Sequence, residues 1–384
     1  MKLVSTIFLS FLLTFSISAK TLEIMSYNVE NLFDAKPDVV NGKGKEDFAY
    51  LPKDHPEKEK GCKTVAKFRK RECYETNWTD AKVDMKLENI KTAVESEKNV
   101  KPDFLGLIEV ENKEVVQRLA QKLGYTNVEI TESPDERGVD VALLFNESES
   151  LKKVSNTEHV IDVERPTRNI LEVEFLLEGK FPLTIFVNHW PSLANPDSWR
   201  VKAAEKLVAR MKEIQTKNPQ MSFVAVGDFN TIPENNPHPF ATVLQKDGLM
   251  IDGFENMVKS GKVPAEEIAK MPKGSYFYAK QKQWNMLDRI FYSPNLTDGK
   301  ELEVTPESFR IHMPKAVLRE WTIGKNDDPK TFVPFFVPKS FKHEKDSKEE
   351  MGFSDHLPIY VKLEVPEVKK VVKKEVKKDK KKKK

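Results

Sequence analysis

Cysteine is nearly absent: Cys62 and Cys73 are the only two in 384 residues. That excludes multi-cysteine zinc ribbons and iron–sulfur cages, and no Cys/His spacing of a zinc site is present. Glycine is sparse at 15 residues, and no Gly-rich phosphate loop or Gly-x-Ser-x-Gly elbow occurs. Beyond the first residues, no apolar run is long enough to span a bilayer. No period of the length used by solenoids or propellers is found. Charge of one sign does not dominate either, the net charge being +3.

That small net value hides an asymmetry. The segment from Val365 onward holds 11 lysines against Glu367, Glu375 and Asp379, a local charge of +8 that leaves the body at −5. So dense a charge resists compaction, and residues 365–384 read as a disordered Lys-rich tail. It would meet a polyanion or an anionic surface. The N-terminus reads as a secretory signal over residues 1–19: Lys2 is the basic start, Leu3 to Phe15 the apolar stretch, and Ser16-Ile17-Ser18-Ala19 the small-residue cleavage site. An exported protein, periplasmic or secreted, is expected. An oxidising compartment would pair Cys62 with Cys73, and closing so short a loop contributes about 2.5–3 kcal/mol in the chain-entropy model. With 39% hydrophobic residues, including 23 Phe, the body can bury a sizeable core.

The most informative stretch is Ser222-Phe223-Val224-Ala225-Val226-Gly227-Asp228-Phe229-Asn230. It begins as a buried strand. Asp228 and Asn230 follow two apart, so in an extended chain both would face one spot. The same design recurs. Tyr27-Asn28-Val29-Glu30-Asn31 follows a strand from Leu22, and Glu109 closes Phe104 to Ile108. His189 closes Ile185 to Asn188, Asp288 sits among Leu287 and Ile290, and Ser354-Asp355-His356 precedes a strand at Pro358. Strands are also predicted near 127–131, 139–145 and 169–177, and helices over 80–96, 113–123 and from Ser198 to about 217. A charged insertion near 35–79 and a second near 313–350 show no periodicity. In the second, Phe332-Val333-Pro334-Phe335-Phe336-Val337 reads as a loop pinned by its own apolar anchors in preference to a base-stacking platform. Strands alternating with helices predict a layered α/β sandwich, two packed mixed β-sheets flanked by helices.

Acids, amides and imidazoles gathered at strand ends suit metal-assisted phosphoester hydrolysis. Carboxylate and amide oxygens favour a hard ion, Mg²⁺ with Mn²⁺ or Ca²⁺ as alternatives. A carboxylate can activate water, and a histidine held by a second carboxylate can stabilise developing charge.

The order and spacing of these stretches resemble the endonuclease/exonuclease/phosphatase superfamily (deoxyribonuclease-like) over residues 20–364. Ser26-Tyr27-Asn28-Val29-Glu30-Asn31-Leu32-Phe33-Asp34 and Asn188-His189-Trp190-Pro191-Ser192 look most like its exported bacterial nucleases. The resemblance implies that Asn28 and Glu109 bind metal and that Asp355 assists with metal or phosphate. It implies that Asp228 activates water, that Asn230 orients it, that His189 contacts phosphate, and that His356 acts with Asp288 as its orienting carboxylate. Asp140 is the candidate partner of His189, and Arg137 a candidate phosphate contact. Glu30, Glu111 and Asn112 are read as supporting residues. A nuclease acting on DNA or RNA is expected, favoured over lipid by the basic residues around the cysteine loop, by the Lys tail and by the lack of an apolar hairpin suited to bilayers, and the chain is expected to be a monomer. Two alternatives are a sphingomyelinase-like or inositol-phosphate phosphoesterase and a non-catalytic polyanion-binding protein.

Overall fold

The computed structural model describes residues 19–38, 47–95, 101–322 and 335–368. The expected leader, apart from Ala19, therefore lies outside the described residues, as do the tail after 368 and Phe332 to Pro334. In chain order the strands are β1 (Ala19–Leu32), β2 (Phe104–Val110), β3 (Asn127–Ile130), β4 (Asp140–Phe145), β5 (Leu151–His159) and β6 (Ile170–Leu177). They continue with β7 (Phe181–His189), β8 (Ser222–Asp228), β9 (Ile251–Asp252), β10 (Tyr276–Tyr278), β11 (Gln283–Asn285) and β12 (Asp288–Tyr292). The last are β13 (Glu303–Val304), β14 (Arg310–Ile311), β15 (Leu318–Trp321), β16 (Phe335–Pro338) and β17 (Ile359–Pro366).

Two mixed sheets form the body. One has the order β13-β17-β1-β2-β4-β3, with β14 also on β17; the other has the order β5-β6-β7-β8-β12-β9. Each contains one parallel pair, β1 with β2 and β7 with β8, among antiparallel neighbours. Small hairpins, β10–β11 and β15–β16, stand beside them. The expected two-sheet α/β sandwich is what forms. Val365 still belongs to β17, where it pairs with Lys20, so the ordered body runs past the expected start of the tail.

Strand β8 shows why its sequence is apolar without interruption. Val224 and Val226 face the core between the sheets, while Phe223 and Ala225 face an outer cluster. That cluster is completed by Ala203, Leu207 and Met211 of a helix, Asp197–Lys217. Both faces are dry, so alternation disappears. Ser198 does not cap this helix. Pro196 precedes it, and Asp197 ties its start to Asn235 Nδ2 and Asn236 N at 3.0 and 2.7 Å.

Helices Asp80–Val94 and Lys113–Leu123 cover the first sheet through Val83, Leu87 and Ile90, and through Val115, Val116 and Leu119. Asn112 caps the second of these by accepting from Val115 N at 3.0 Å. Between the sheets, the Phe175 ring centroid is 4.9 Å from those of both Phe104 and Phe145, edge to face. Gly106 lets the sheets approach, because a Cβ there would stand 3.0 Å from Val226 Cγ2.

The first insertion, which shows no periodicity in sequence, contains short helices at Lys58–Cys62 and Lys70–Glu75. The Cys62–Cys73 disulfide joins them, its Cα atoms 5.6 Å apart. With Val65 and Phe48 the bridge forms a small apolar cluster of its own, which the polar sequence of the segment did not reveal.

Candidate active site

Register builds the site. On three adjacent strands Asp288 pairs with Asp228, and Asp228 with His189. Directly opposed residues share a face. Ile185, Val187, Val224, Val226, Ile290 and Tyr292 in the same rows face the inter-sheet core. The two acids and the imidazole therefore continue the core rows to the strand ends, where the sandwich opens. Gly227 makes the pairing possible: its φ is 139°, and a Cβ would lie 2.0 Å from Asn188 O.

The facing sheet supplies Asn28 and Glu109. Asn28 is 1% exposed, and its Nδ2 donates to Asp228 Oδ2 at 3.2 Å, linking the two sheets. Its Oδ1 accepts from Glu30 N at 3.0 Å. Glu109 sits where the β2–β4 register shifts between Ile108 and Val110, with φ of 65°. Such a bulge re-aims a side chain that strict alternation would send elsewhere. Glu109 Oε1 is then 3.8 Å from His189 Nε2 and 3.6 Å from Arg137 Nη2. Glu30, Asn31 and Asn230 are also left-handed, with φ of 51°, 64° and 45°.

The segment just before the last strand contributes His356, which forms an isolated bridge with Tyr276. Its Nδ1 is 2.6 Å from Asp288 Oδ2, and its Nε2 is 3.9 Å from Asp228 Oδ2 and 3.8 Å from Asp355 Oδ1. His189 Nε2 approaches the same Asp228 oxygen at 3.8 Å. Glu109, Arg137, His189, Asp228, Asn230, Asp355 and His356 all line one cavity of about 760 Å³, with Asn28 and Asp288 buried behind it.

Two expectations need correction. The chain is not extended through Asn230: it turns there, with Asn230 N donating to Asp228 Oδ1 at 2.9 Å and Nδ2 to Trp190 O at 3.1 Å. Asp140 does not pair with His189. Its Oδ1 accepts from Thr131 Oγ1 and Ser133 N, both at 2.7 Å, and His189 Nδ1 has no hydrogen-bond partner among the described residues.

Sequence reasoning also missed three supports. Ser275 Oγ donates to Asp288 Oδ2 at 2.6 Å and accepts from Asp288 N at 3.0 Å. Arg168 Nη2 holds Trp190 O at 2.6 Å. Lys86 Nζ gathers Val29 O and Phe353 O at 2.6 and 2.7 Å, joining β1 to the loop before His356. A lone serine, arginine or helix lysine carries no local signal of such a role.

Over residues 23–365 the sequence matches the Endonuclease/Exonuclease/phosphatase family. The chain belongs to that family. Its members are phosphoester hydrolases, generally dependent on a divalent metal. No curated protein matches in sequence. Among solved structures, the chain is similar to an endonuclease/exonuclease/phosphatase family protein from Bacteroides thetaiotaomicron, with 14% identity and a TM-score of 0.51, covering 91% of this chain and 97% of that one. A Bacteroides vulgatus family protein gives 12% identity and a TM-score of 0.50 over 90% and 99%. TDP2 from C. elegans gives 15% and 0.50 over 90% and 75%. At these identities the likeness concerns the fold alone.

Charge divides the two histidines that line the cavity. Burial would depress the His356 imidazolium, but Asp288, Asp355 and Asp228 outweigh it and hold its pKa well above the usual range. For His189 burial, Arg168, Arg137 and His356 all push the same way, and it is neutral. Burial raises Asp228 most, Asp288 adds to it and His356 opposes, leaving the carboxyl at about 7. Glu109 is also pushed up by burial, yet Arg137, His356 and Arg168 bring it below the usual carboxylate range.

The donors fit a hard cation. Glu109, its carboxyl held below the usual range, lines the cavity together with Asp355, and the Asn28 carboxamide is buried behind it. No group of three carboxylates, imidazoles or thiols able to cage a metal occurs among the described residues. Mg²⁺ does not require one, since it keeps several waters and binds through one or two carboxylates plus substrate phosphate.

Proposed function

We propose that this chain is an exported, divalent-metal-dependent phosphodiesterase that hydrolyses nucleic-acid strands by in-line attack of water. The observation that carries the reading is the row Asp288–Asp228–His189, closed by the 2.6 Å His356–Asp288 contact at the open end of the sandwich. It sets a carboxylate poised near neutrality between a charged and a neutral imidazole, an arrangement suited to moving protons about a phosphorus centre.

Glu109, with Asn28 and Asp355, would hold the cation, Mg²⁺ with Mn²⁺ or Ca²⁺ able to replace it. Such an ion neutralises and polarises the phosphate. Asp228, in its ionised form, takes the proton of the attacking water. Asn28 Nδ2 and Asn230 N fix its two oxygens. His356 carries its proton on Nε2 toward the cavity because Nδ1 is engaged by Asp288, and it gives that proton to the departing oxygen. Neutral His189 and Arg137 border the same space, where they hydrogen-bond the non-bridging oxygens.

Nucleic acid is favoured over lipid and inositol phosphates by the surroundings of the site. Tyr276 and Tyr278 line the cavity, and the stretch from Lys270 to Asn285 that carries them has four lysines and no acid. The leader at 1–19 supports export, and the lysines after 368 would add a sequence-independent attraction for a polyanion.

A parallel assay on plasmid DNA, RNA, sphingomyelin and inositol phosphates tests the reading. Metal-dependent cleavage of DNA or RNA is expected, abolished by chelation. Turnover confined to sphingomyelin or inositol phosphates, or binding of polyanions with no turnover at all, would overturn it.

A further inference from the structure

The β10–β11 hairpin is a partition with a different cavity on either side. Its register pairs Tyr276 with Asn285, Phe277 with Trp284 and Tyr278 with Gln283. Strand alternation sends Tyr276 and Tyr278 to one face and Phe277 and Trp284 to the other. The first face closes the catalytic cavity, where the Tyr276 ring centroid is 4.8 Å from that of His356. The second packs on the β15–β16 hairpin, with the Phe277 ring centroid 5.0 Å from Trp321 and 5.6 Å from Phe335.

Beyond that contact lies a groove of about 1030 Å³, larger than the 760 Å³ catalytic cavity. Lys270, Lys273 and Lys282 line it together with Trp284, Phe335 and Phe336, and no acid does so among the described residues. Phe335 is an anchor, as the sequence led one to expect. Phe336 is not: it is 61% exposed. Gln281 and Gln283 line both spaces, so groove and catalytic cavity are continuous around the hairpin tip.

We propose that this groove binds the single-stranded part of a nucleic-acid substrate adjoining the scissile diester, the lysines meeting phosphates and Trp284 and Phe336 stacking on bases. This deepens the nuclease reading and rests on it. A basic channel with aromatic faces is the arrangement that holds unpaired strands without sequence preference. Paired bases, stacked on each other, have no free faces to offer such a channel. A bilayer would need a protruding apolar edge, whereas here the aromatic residues line a concave, lysine-bordered surface.

The test uses the full chain and the double variant Phe336→Ala with Lys273→Glu, both positions being on the surface. kcat/KM on an unstructured thymidine oligonucleotide should fall about tenfold, the scale of one lost stacking contact, while turnover of a thymidine dinucleotide stays unchanged. Phe336→Trp with Lys273→Arg should retain wild-type behaviour. No fall on the oligonucleotide, or an equal fall on both substrates, would overturn the groove. Fluorescence anisotropy with a labelled oligonucleotide in EDTA separates this outcome from failure of the nuclease reading. If the wild type cleaves neither substrate, about tenfold weaker binding by the double variant still upholds the groove and unchanged binding rejects it. Loss of binding to phosphatidylglycerol vesicles with oligonucleotide binding intact would assign the surface to a membrane instead, and would equally reject the proposal.

Discussion

His356 Nδ1 and Asp288 Oδ2 lie 2.6 Å apart although their residues are 68 positions apart in sequence. The same Asp288 oxygen accepts from Ser275 Oγ at 2.6 Å, so one buried atom receives two donors. Asp288→Asn keeps the shape and removes the charge. kcat should drop roughly 100-fold, at the lower end of what a positioned acid or base contributes, with the circular-dichroism spectrum unchanged. NMR titration should show the His356 pKa lowered.

The pH profile follows from the same charges. In the metal-free protein Asp228 titrates at about 7, and a bound cation draws it lower. Activity should therefore rise with pH through a limb at or below 7, as Asp228 ionises. It should fall at high pH, where His356, held well above its ordinary pKa, loses its proton. Asp288→Asn should move both limbs toward lower pH, the basic one because His356 loses its carboxylate partner and the acidic one because Asp288 no longer raises Asp228. An acidic limb that persists in Asp228→Asn would refute the assignment.

Chelation should abolish turnover, and added Mg²⁺ should restore it. Glu109→Gln keeps the bulged backbone but removes the ionised ligand, so the Mg²⁺ concentration for half-maximal rate should rise at least about 10-fold. Half-saturation at an unchanged Mg²⁺ concentration would place the ion elsewhere.

Acid stability has a separate origin. Glu172, 1% exposed on β6, accepts from Arg210 Nε and Nη2 at 2.7 and 2.8 Å and lies 2.6 Å from His159 Nε2. Burial raises its pKa, but Arg210 and His159 bring it below the usual value. A depressed carboxyl stabilises the fold above the unfolded pKa and loses that contribution as pH falls through the folded one. Glu172→Gln should cost about 1–3 kcal/mol at pH 7, less than a fully enclosed pair because Arg210 reaches solvent. Its penalty in denaturant titrations should shrink as pH falls below the usual carboxylate range.

Cys62→Ser with Cys73→Ser should lower stability by about 2.5–3 kcal/mol, the loop-closure value. Phosphodiester cleavage should persist below the new melting point, because the bridge belongs to a small cluster apart from the two sheets.

The site was legible where chemistry sits at the end of an apolar run. Asn28, Glu109, His189 and Asp228 end apolar runs and His356 precedes one, and the structure brings these candidates to one cavity or the buried shell behind it. Strand β5 was not found: Lys152, Lys153, Asn156 and Glu158 give it no apolar run, and pairing with β6 makes it a strand. The short strands β10, β11, β15 and β16 depend in the same way on tertiary partners. The turn at Asn230 and the bulge at Glu109 were out of reach, because alternation assumes a regular chain. Asp140 misled for a related reason. It lies on β4 opposite Val110, and nothing local showed that Thr131 and Ser133 would claim it.

Four non-glycine residues around the cleft, Glu30, Asn31, Glu109 and Asn230, hold a backbone shape that glycine adopts freely and they adopt at a cost of about 1 kcal/mol or more each. Selection for heat resistance alone would be drawn to these four places. Asn31→Gly would remove that backbone cost together with the Oδ1 that accepts from Arg137 Nη2 at 3.0 Å. A hardier descendant obtained that way would keep the bend without its cost yet give up a hold on a cation beside the cavity, and a slower reaction would be the mark of that exchange.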